Sequence, residues 1–157
     1  MTRLRGRSPK GKRLHASAPS GRWQTTTMIG SVRQDGSTTC MTIEGAVNGE
    51  VFRVYVRDIL LPTLRPGDVL VMDNLSTHKD RESLEMLKQA GVEVRFLPAY
   101  SPDYNPIEMM WSKVKALLRK AEARDGETLL QAIGNALARV TEKDATHWFA
   151  HCGYNFI

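Results

Sequence analysis

Residues 69–97 read VLVMDNLSTHKDRESLEMLKQAGVEVRFL, and this stretch decides the fold. Val69-Leu70-Val71-Met72 is a short apolar run, as expected of a strand buried on both faces. It stops at the polar pair Asp73-Asn74. Residues 80–90 predict a helix with Leu84, Leu87 and Ala90 turned inward, and Gly91 closes it. Val92 to Leu97 alternates as a strand does. Strand, helix and strand within about 30 residues make a βαβ unit with parallel strands.

Upstream, residues 23–33 (WQTTTMIGSVR) and 37–44 (STTCMTIE) flank the turn Gln34-Asp35-Gly36 and predict a hairpin. Asn48 then opens a helical stretch with Phe52, Tyr55, Ile59 and Leu60 on one face. Pro62 and Arg65-Pro66-Gly67 end it. Downstream, residues 98–106 (PAYSPDYNP) form a rigid loop. A helix over 106–122 follows, with the apolar stripe Ile107, Met110, Trp111, Val114, Leu117, Leu118 and Ala121. Another spans 127–140 through Leu129, Leu130, Ile133, Leu137 and Val140, and a short one covers 142–151. The order is that of an α/β layered sheet.

The chain has 157 residues, 41% hydrophobic and 25% charged, values of one packed domain. No run of 18 apolar residues occurs, so no membrane is expected as a partner. No secretory leader is expected either. Two cysteines, Cys40 and Cys152, make no disulfide framework, and a cytoplasmic setting is expected.

The charge is uneven. Residues 1–22 hold seven of the 22 basic residues and no acid, while the remainder holds 15 basic and 17 acidic. Arg7, Lys10, Lys12 and Arg13 stand among Gly and Pro, so the segment reads as an extended basic arm or long turn. Flexible cations of this kind suit DNA phosphates, though a solvated tail explains them equally well. The expected division is a basic arm over 1–22 and one domain over 23–157.

Two carboxylates stand out by position. Asp73 ends a parallel strand, where open α/β sheets place their sites. Glu108 lies in the first turn of the helix after the next strand, so the chain returns to the same edge. Carboxylates brought together repel unless a cation lies between them. Mg²⁺ or Mn²⁺ suits such oxygen ligands, and a pair of such ions supports phosphodiester cleavage. Each acid has a simpler reading. Asp73 suits a turn after a strand. Asn105-Pro106-Ile107-Glu108 has the form of a capping box, which would bend Glu108 back onto its own helix. Lys115 and Arg119 share Glu108's side of the helix, placed either to grip phosphates or to face solvent. Asn74 and His78 either order the site or serve as a turn amide and a helix-start side chain.

The strings Val71-Met72-Asp73-Asn74, His78 and Leu97-Pro98-Ala99-Tyr100-Ser101-Pro102-Asp103-Tyr104-Asn105-Pro106-Ile107-Glu108, with 34 residues between the two acids, resemble insertion-sequence transposases related to the mariner group. The resemblance runs from Gly6 to Tyr154. It implies a ribonuclease-H-like mixed sheet with flanking helices and a metal-binding Asp, Asp, Glu triad, of which Asp73 and Glu108 are the last two. It implies Mg²⁺ or Mn²⁺ as cofactor. The implied partners are double-stranded DNA, with terminal inverted repeats and a TA-type target, and a second copy of the chain forming a homodimer on DNA. The activity would be cut-and-paste transposition.

The family's first Asp lies on a strand upstream of the basic Gly-Arg-Ser-Pro segment. Here no acid precedes Asp35, a turn residue. The expectation is therefore an N-terminally truncated domain lacking its first strand and first metal ligand, weak or inactive alone. The rival is a non-catalytic remnant that binds DNA or intact transposase.

Overall fold

The computed structural model describes residues 6–15 and 25–154. Trp23, Arg3, Arg5 and Arg22 of the expected strand and arm lie outside them. Strands β1 (Thr26–Val32) and β2 (Thr38–Glu44) pair antiparallel. Asp35 makes the turn tight by accepting from the Ser37 amide and hydroxyl. Gly36 sits at φ +85°, and a Cβ there would lie 2.5 Å from the Glu142 nitrogen. Only glycine lets this turn seat against the start of the last helix.

Asn48 caps α1 (Gly49–Tyr55) by accepting from the Val51 amide at 2.9 Å. The sequence predicts one continuous helical stretch here. Instead the chain widens into a π turn over Val56–Leu60 and tightens into a 3₁₀ turn over Leu61–Thr63. Pro62 has no N–H to donate to Asp58, so a regular ladder cannot continue through it. The widened turn still buries both Val56 and Leu60.

Then come β3 (Val69–Met72), α2 (Arg81–Gln89) and β4 (Glu93–Phe96). β3 and β4 are parallel, in the register Val69↔Glu93 to Met72↔Phe96, as the βαβ reading requires. Asp80 caps α2 through the Ser83 amide, and Arg53 grips the same carboxylate from α1 with two hydrogen bonds. Helices α3 (Pro106–Ala121), α4 (Gly126–Leu137) and α5 (Glu142–His151) complete the chain. α4 and α5 each open with a reciprocal cap, Asp125 with Thr128 and Thr141 with Asp144.

The hairpin separates two cores. Ile29 and Met41, on one face, pack with Phe52, Tyr55, Val56, Leu60, Met72 and Leu87. Met28, Val32 and Cys40, on the other, pack with Met110, Val114, Leu118 and Trp148. At Gly30 a Cβ would lie 3.0 Å from the Trp111 ring, so α3 approaches the strand backbone directly. This is a helix, sheet, helix layering, a mixed α/β architecture consistent with a ribonuclease-H-like domain.

Three expectations are corrected. β3 is not buried on both faces: Leu70 and Met72 enter the first core, whereas Val69 is half exposed. The helices that follow the sheet cover the hairpin and leave that face of β3 open. Leu130 and Ala121 point to solvent, because α4 contacts its neighbours through Ile133 and Ala136, and α3 ends at Ala121.

Candidate metal-binding cleft

A cleft of about 990 Å³ opens between β1 and β3. It is lined by every residue of 27–34 and every residue of 67–73. Because side chains of both faces take part, the cleft runs along the strand edges rather than over one face. β1 pairs only with β2 and β3 only with β4 among the described strands. Both edges turned to the cleft therefore lack a ladder partner there. One wall carries Phe52, Tyr55 and Leu60, the opposite wall Ile107 and Trp111.

Arg33, just after β1, and Asp68, just before β3, close one end. Their side chains make two hydrogen bonds, 2.7 and 3.1 Å. The pair holds the Asp68 carboxyl down at about 2, with a further contribution from the Arg65 amide. It also places the end of β1 near the start of β3.

Asp73 and Glu108 both line the cleft, together with His78 and Asn105. Asp73 follows the last residue of β3. Its Oδ1 accepts from the Leu75 amide at 3.2 Å and lies 2.7 Å from His78 Nδ1. The imidazole packs at a tilt against Phe52, ring centroids 4.7 Å apart, so its position is set by the first core. Glu108 stands exposed in the first turn of α3. A capping box would draw its carboxylate to the Asn105 amide, but that amide donates to the Pro102 carbonyl at 2.9 Å. Asn105 caps the helix alone, accepting from Ile107 at 3.4 Å. Glu108 is thus left to face the cleft.

The other expected site residues fall in two places. Asn74 is exposed beside Asp73. On α3, Lys115 is exposed and Arg119 half-buried. Seven and eleven residues beyond Glu108, they lie about 10 and 16 Å along the helix on its side. Arg7, Lys10, Lys12 and Arg13 are all exposed, around a turn in which the Lys12 amide donates to the Pro9 carbonyl. Lys113, nearby in sequence, is committed elsewhere: it bonds the Arg139 carbonyl and Asp144 and ties α3 to α5. The sequence reading missed the closing pair Arg33–Asp68. It also missed Tyr154, whose hydroxyl donates to the Tyr104 carbonyl at 2.9 Å. A Tyr three residues past the last helix carries no signal for that contact.

The donor set is two carboxylates, chemistry that fits a hard divalent cation. Among the described residues no group of three or more His, Cys, Asp or Glu side chains is placed to hold a metal. The two acids fit such an ion but do not enclose it.

Acids at the carboxyl end of a parallel strand and at the head of a following helix are a site plan of open α/β sheets. The sequence profile of the DDE superfamily endonucleases matches residues 1–130, and the chain belongs to that family. Membership implies, in general terms, a transposase-like nuclease that acts on DNA with a divalent metal. No curated relative matches the chain. Among the described residues no helix is long and apolar enough to cross a membrane.

Proposed function

We propose that this chain is the catalytic portion of a mariner-related insertion-sequence transposase, which cuts and rejoins phosphodiesters at the ends of a mobile element. The observation that carries the reading is that Asp73 and Glu108, with 34 residues between them in a DDE-family chain, line one cleft. Asp73 and Glu108 would hold the metal. When bound, the ion supplies activation of a water or 3′-hydroxyl and neutralises charge on the leaving oxygen. His78 fixes the orientation of Asp73, and Asn74 sits beside it. Asn105 starts α3 so that Glu108 meets the cleft. Lys115 and Arg119 grip phosphates along the same helix face, and Arg7, Lys10, Lys12 and Arg13 grip phosphates farther out.

The triad's remaining Asp would enter on a further strand. The groove between β1 and β3 supports this, since each wall offers an unpaired edge. A strand parallel to β3 would bring its carboxyl end beside Asp73. Its side chains would meet apolar walls on both faces, so it must be apolar throughout. The Gly, Ser and Arg-rich arm does not meet that requirement. Two acids hold a metal less well than three, so the chain alone nicks weakly. Acting on two element ends with a TA-type target calls for two copies on the DNA.

The test is nicking of supercoiled DNA in Mn²⁺, with and without an added apolar peptide of strand length ending in Asp. Weak nicking that the peptide raises, and that Asp73→Asn or Glu108→Gln abolishes, is expected. Variants as active as the parent would overturn the assignment. Salt-dependent DNA binding with no nicking under either condition would favour the non-catalytic remnant.

A further inference from the structure

Every Phe or Tyr ring left exposed among the described residues lies on the one segment that joins the two candidate ligands. Phe96 is 38% exposed, Tyr104 56%, and Tyr100 fully. Phe96 pairs with Met72, the residue before Asp73, and the Leu97 amide still bonds the Met72 carbonyl. The chain therefore leaves the sheet beside Asp73, passes Tyr100 and Tyr104, and enters α3 just before Glu108. The rings do not line the cleft; Tyr100 and Tyr104 stand on the loop that runs from one cleft-lining residue, Arg95, to another, Asn105.

Tyr100 is not a loose side chain on a loose loop. Its φ is +58°, a left-handed conformation that a bulky residue rarely adopts. Prolines at 98 and 102 restrict the chain on either side, and Ser101 Oγ donates to the Ala99 carbonyl. The Tyr154 hydroxyl pins the Tyr104 carbonyl at the far end. Lys79 lies 6.0 Å from the Phe96 ring centroid, so a cation accompanies that ring. Strained backbone that holds an unpartnered ring in solvent persists where the ring has work to do. Flat rings next to a cation are the chemistry that receives nucleobase faces.

We propose that Tyr100, on the loop between two lining residues of the Asp73–Glu108 cleft, is a stacking platform for unpaired bases of the DNA end held there, with the exposed Phe96 four residues earlier as a secondary contact. This rests on the DNA reading above and adds to it a ligand: single-stranded nucleotides rather than duplex alone. A paired duplex hides its base faces. An end being cut or joined frays and offers them. Tyr100 is the main contact because it is wholly exposed and conformationally fixed, and Phe96, partly covered, contributes less.

The probe is a short duplex carrying two unpaired 3′ nucleotides, one of them 2-aminopurine, compared with a flush duplex of the same sequence. The unpaired end is expected to bind about tenfold tighter than the flush end, with the fluorophore quenched. Tyr100→Ala is expected to remove the quenching and most of the preference. Tyr100→Phe and Tyr100→Trp retain both, and Phe96→Ala reduces them in part. Quenching and preference that survive Tyr100→Ala overturn the proposal, as does a parent protein with no preference. Asp73→Asn keeps the stacking signal while losing nicking. A protein that stacks but never nicks would leave the platform standing and sink the transposase reading. A protein that binds neither duplex would sink both.

Discussion

The two strand pairs differ in sequence, a Thr-rich hairpin against a parallel pair that begins with four apolar residues, and they are finished in the opposite sense to what that suggests. The hairpin β1–β2 is covered on both faces, by α1 and its π turn on one side and by α3 on the other. The parallel pair β3–β4 is covered on one face only, and Val69 on the other face remains half exposed. Both candidate ligands belong to the side that is left unfinished. A strand's burial depends on what the rest of the chain brings to it. Four apolar residues in a row state only that the strand can be buried on both faces.

The comparison can be broken most directly by mutating its two sides. Met110, fully buried beneath the hairpin, should cost about 2–5 kcal/mol of unfolding free energy when changed to Ala. Val69→Thr on the open face should fall within about 0.5 kcal/mol of the parent. Urea unfolding curves measure both. A Val69 variant as damaging as Met110→Ala would mean that the second sheet's open face is covered in solution.

Two glycines give the next largest effect, with opposite signs. A Cβ at Gly30 would lie 2.6 Å from the Thr39 carbonyl oxygen and 3.0 Å from Trp111. Gly30→Ala should therefore destabilise by about 1–3 kcal/mol. Gly134 lies inside α4 with nothing within 4 Å of a new Cβ, so Gly134→Ala should stabilise by about 0.5–1 kcal/mol. Equal shifts in thermal midpoint for the two would show that α3 does not press on the hairpin.

The brace between the two sheets predicts a pH dependence. Asp68 is held at about 2 in the folded protein, below its usual 3.8. A depressed carboxyl contributes stability that is fully present above about pH 4 and is lost as pH falls toward 2. The pair is partly exposed, so its worth is about 1 kcal/mol. Asp68→Asn should lower stability by that amount at pH 7 and by nothing near pH 2. A constant difference across that range would assign the effect to something other than the carboxylate charge.

Much of this was legible in the residues. The hairpin turn, the βαβ unit, the caps at Asn48 and Asn105 and the α3 stripe are local patterns, and local patterns fix local structure. The pairing of Asp73 with Glu108 in one cleft followed from topology, since a parallel crossover returns the chain to the same edge. What was not legible depends on contacts between distant parts. Arg33 and Asp68 lie 35 residues apart with no spacing rule to join them. The release of Glu108 from its capping box turns on the Pro102 carbonyl, which reaches the Asn105 amide only because a 3₁₀ turn forms over Pro102–Tyr104. The one-sided cover of β3 could not be read from β3.

The smallest predicted effect concerns the loop that carries the rings into α3. The family profile ends at residue 130, yet α5 and the residues after it hold α3 at one point and the turn before it at another. Lys113 bonds Asp144 near the start of α5, and Tyr154 bonds the Tyr104 carbonyl. Tyr154→Phe removes one neutral hydrogen bond, worth about 0.5–1.5 kcal/mol, and keeps the ring against Phe149. Global stability should barely move, because the 102–104 turn is exposed and contributes little to either core. The local turn should open more often, and amide exchange at Asn105, whose N–H is bonded within that turn, should quicken by about fivefold. Exchange at Asn105 unchanged by the substitution would mean that the two flanking prolines alone hold the loop. The open side of the molecule would then owe nothing to the C-terminal helix, and the comparison between a finished and an unfinished sheet would be sharper for it.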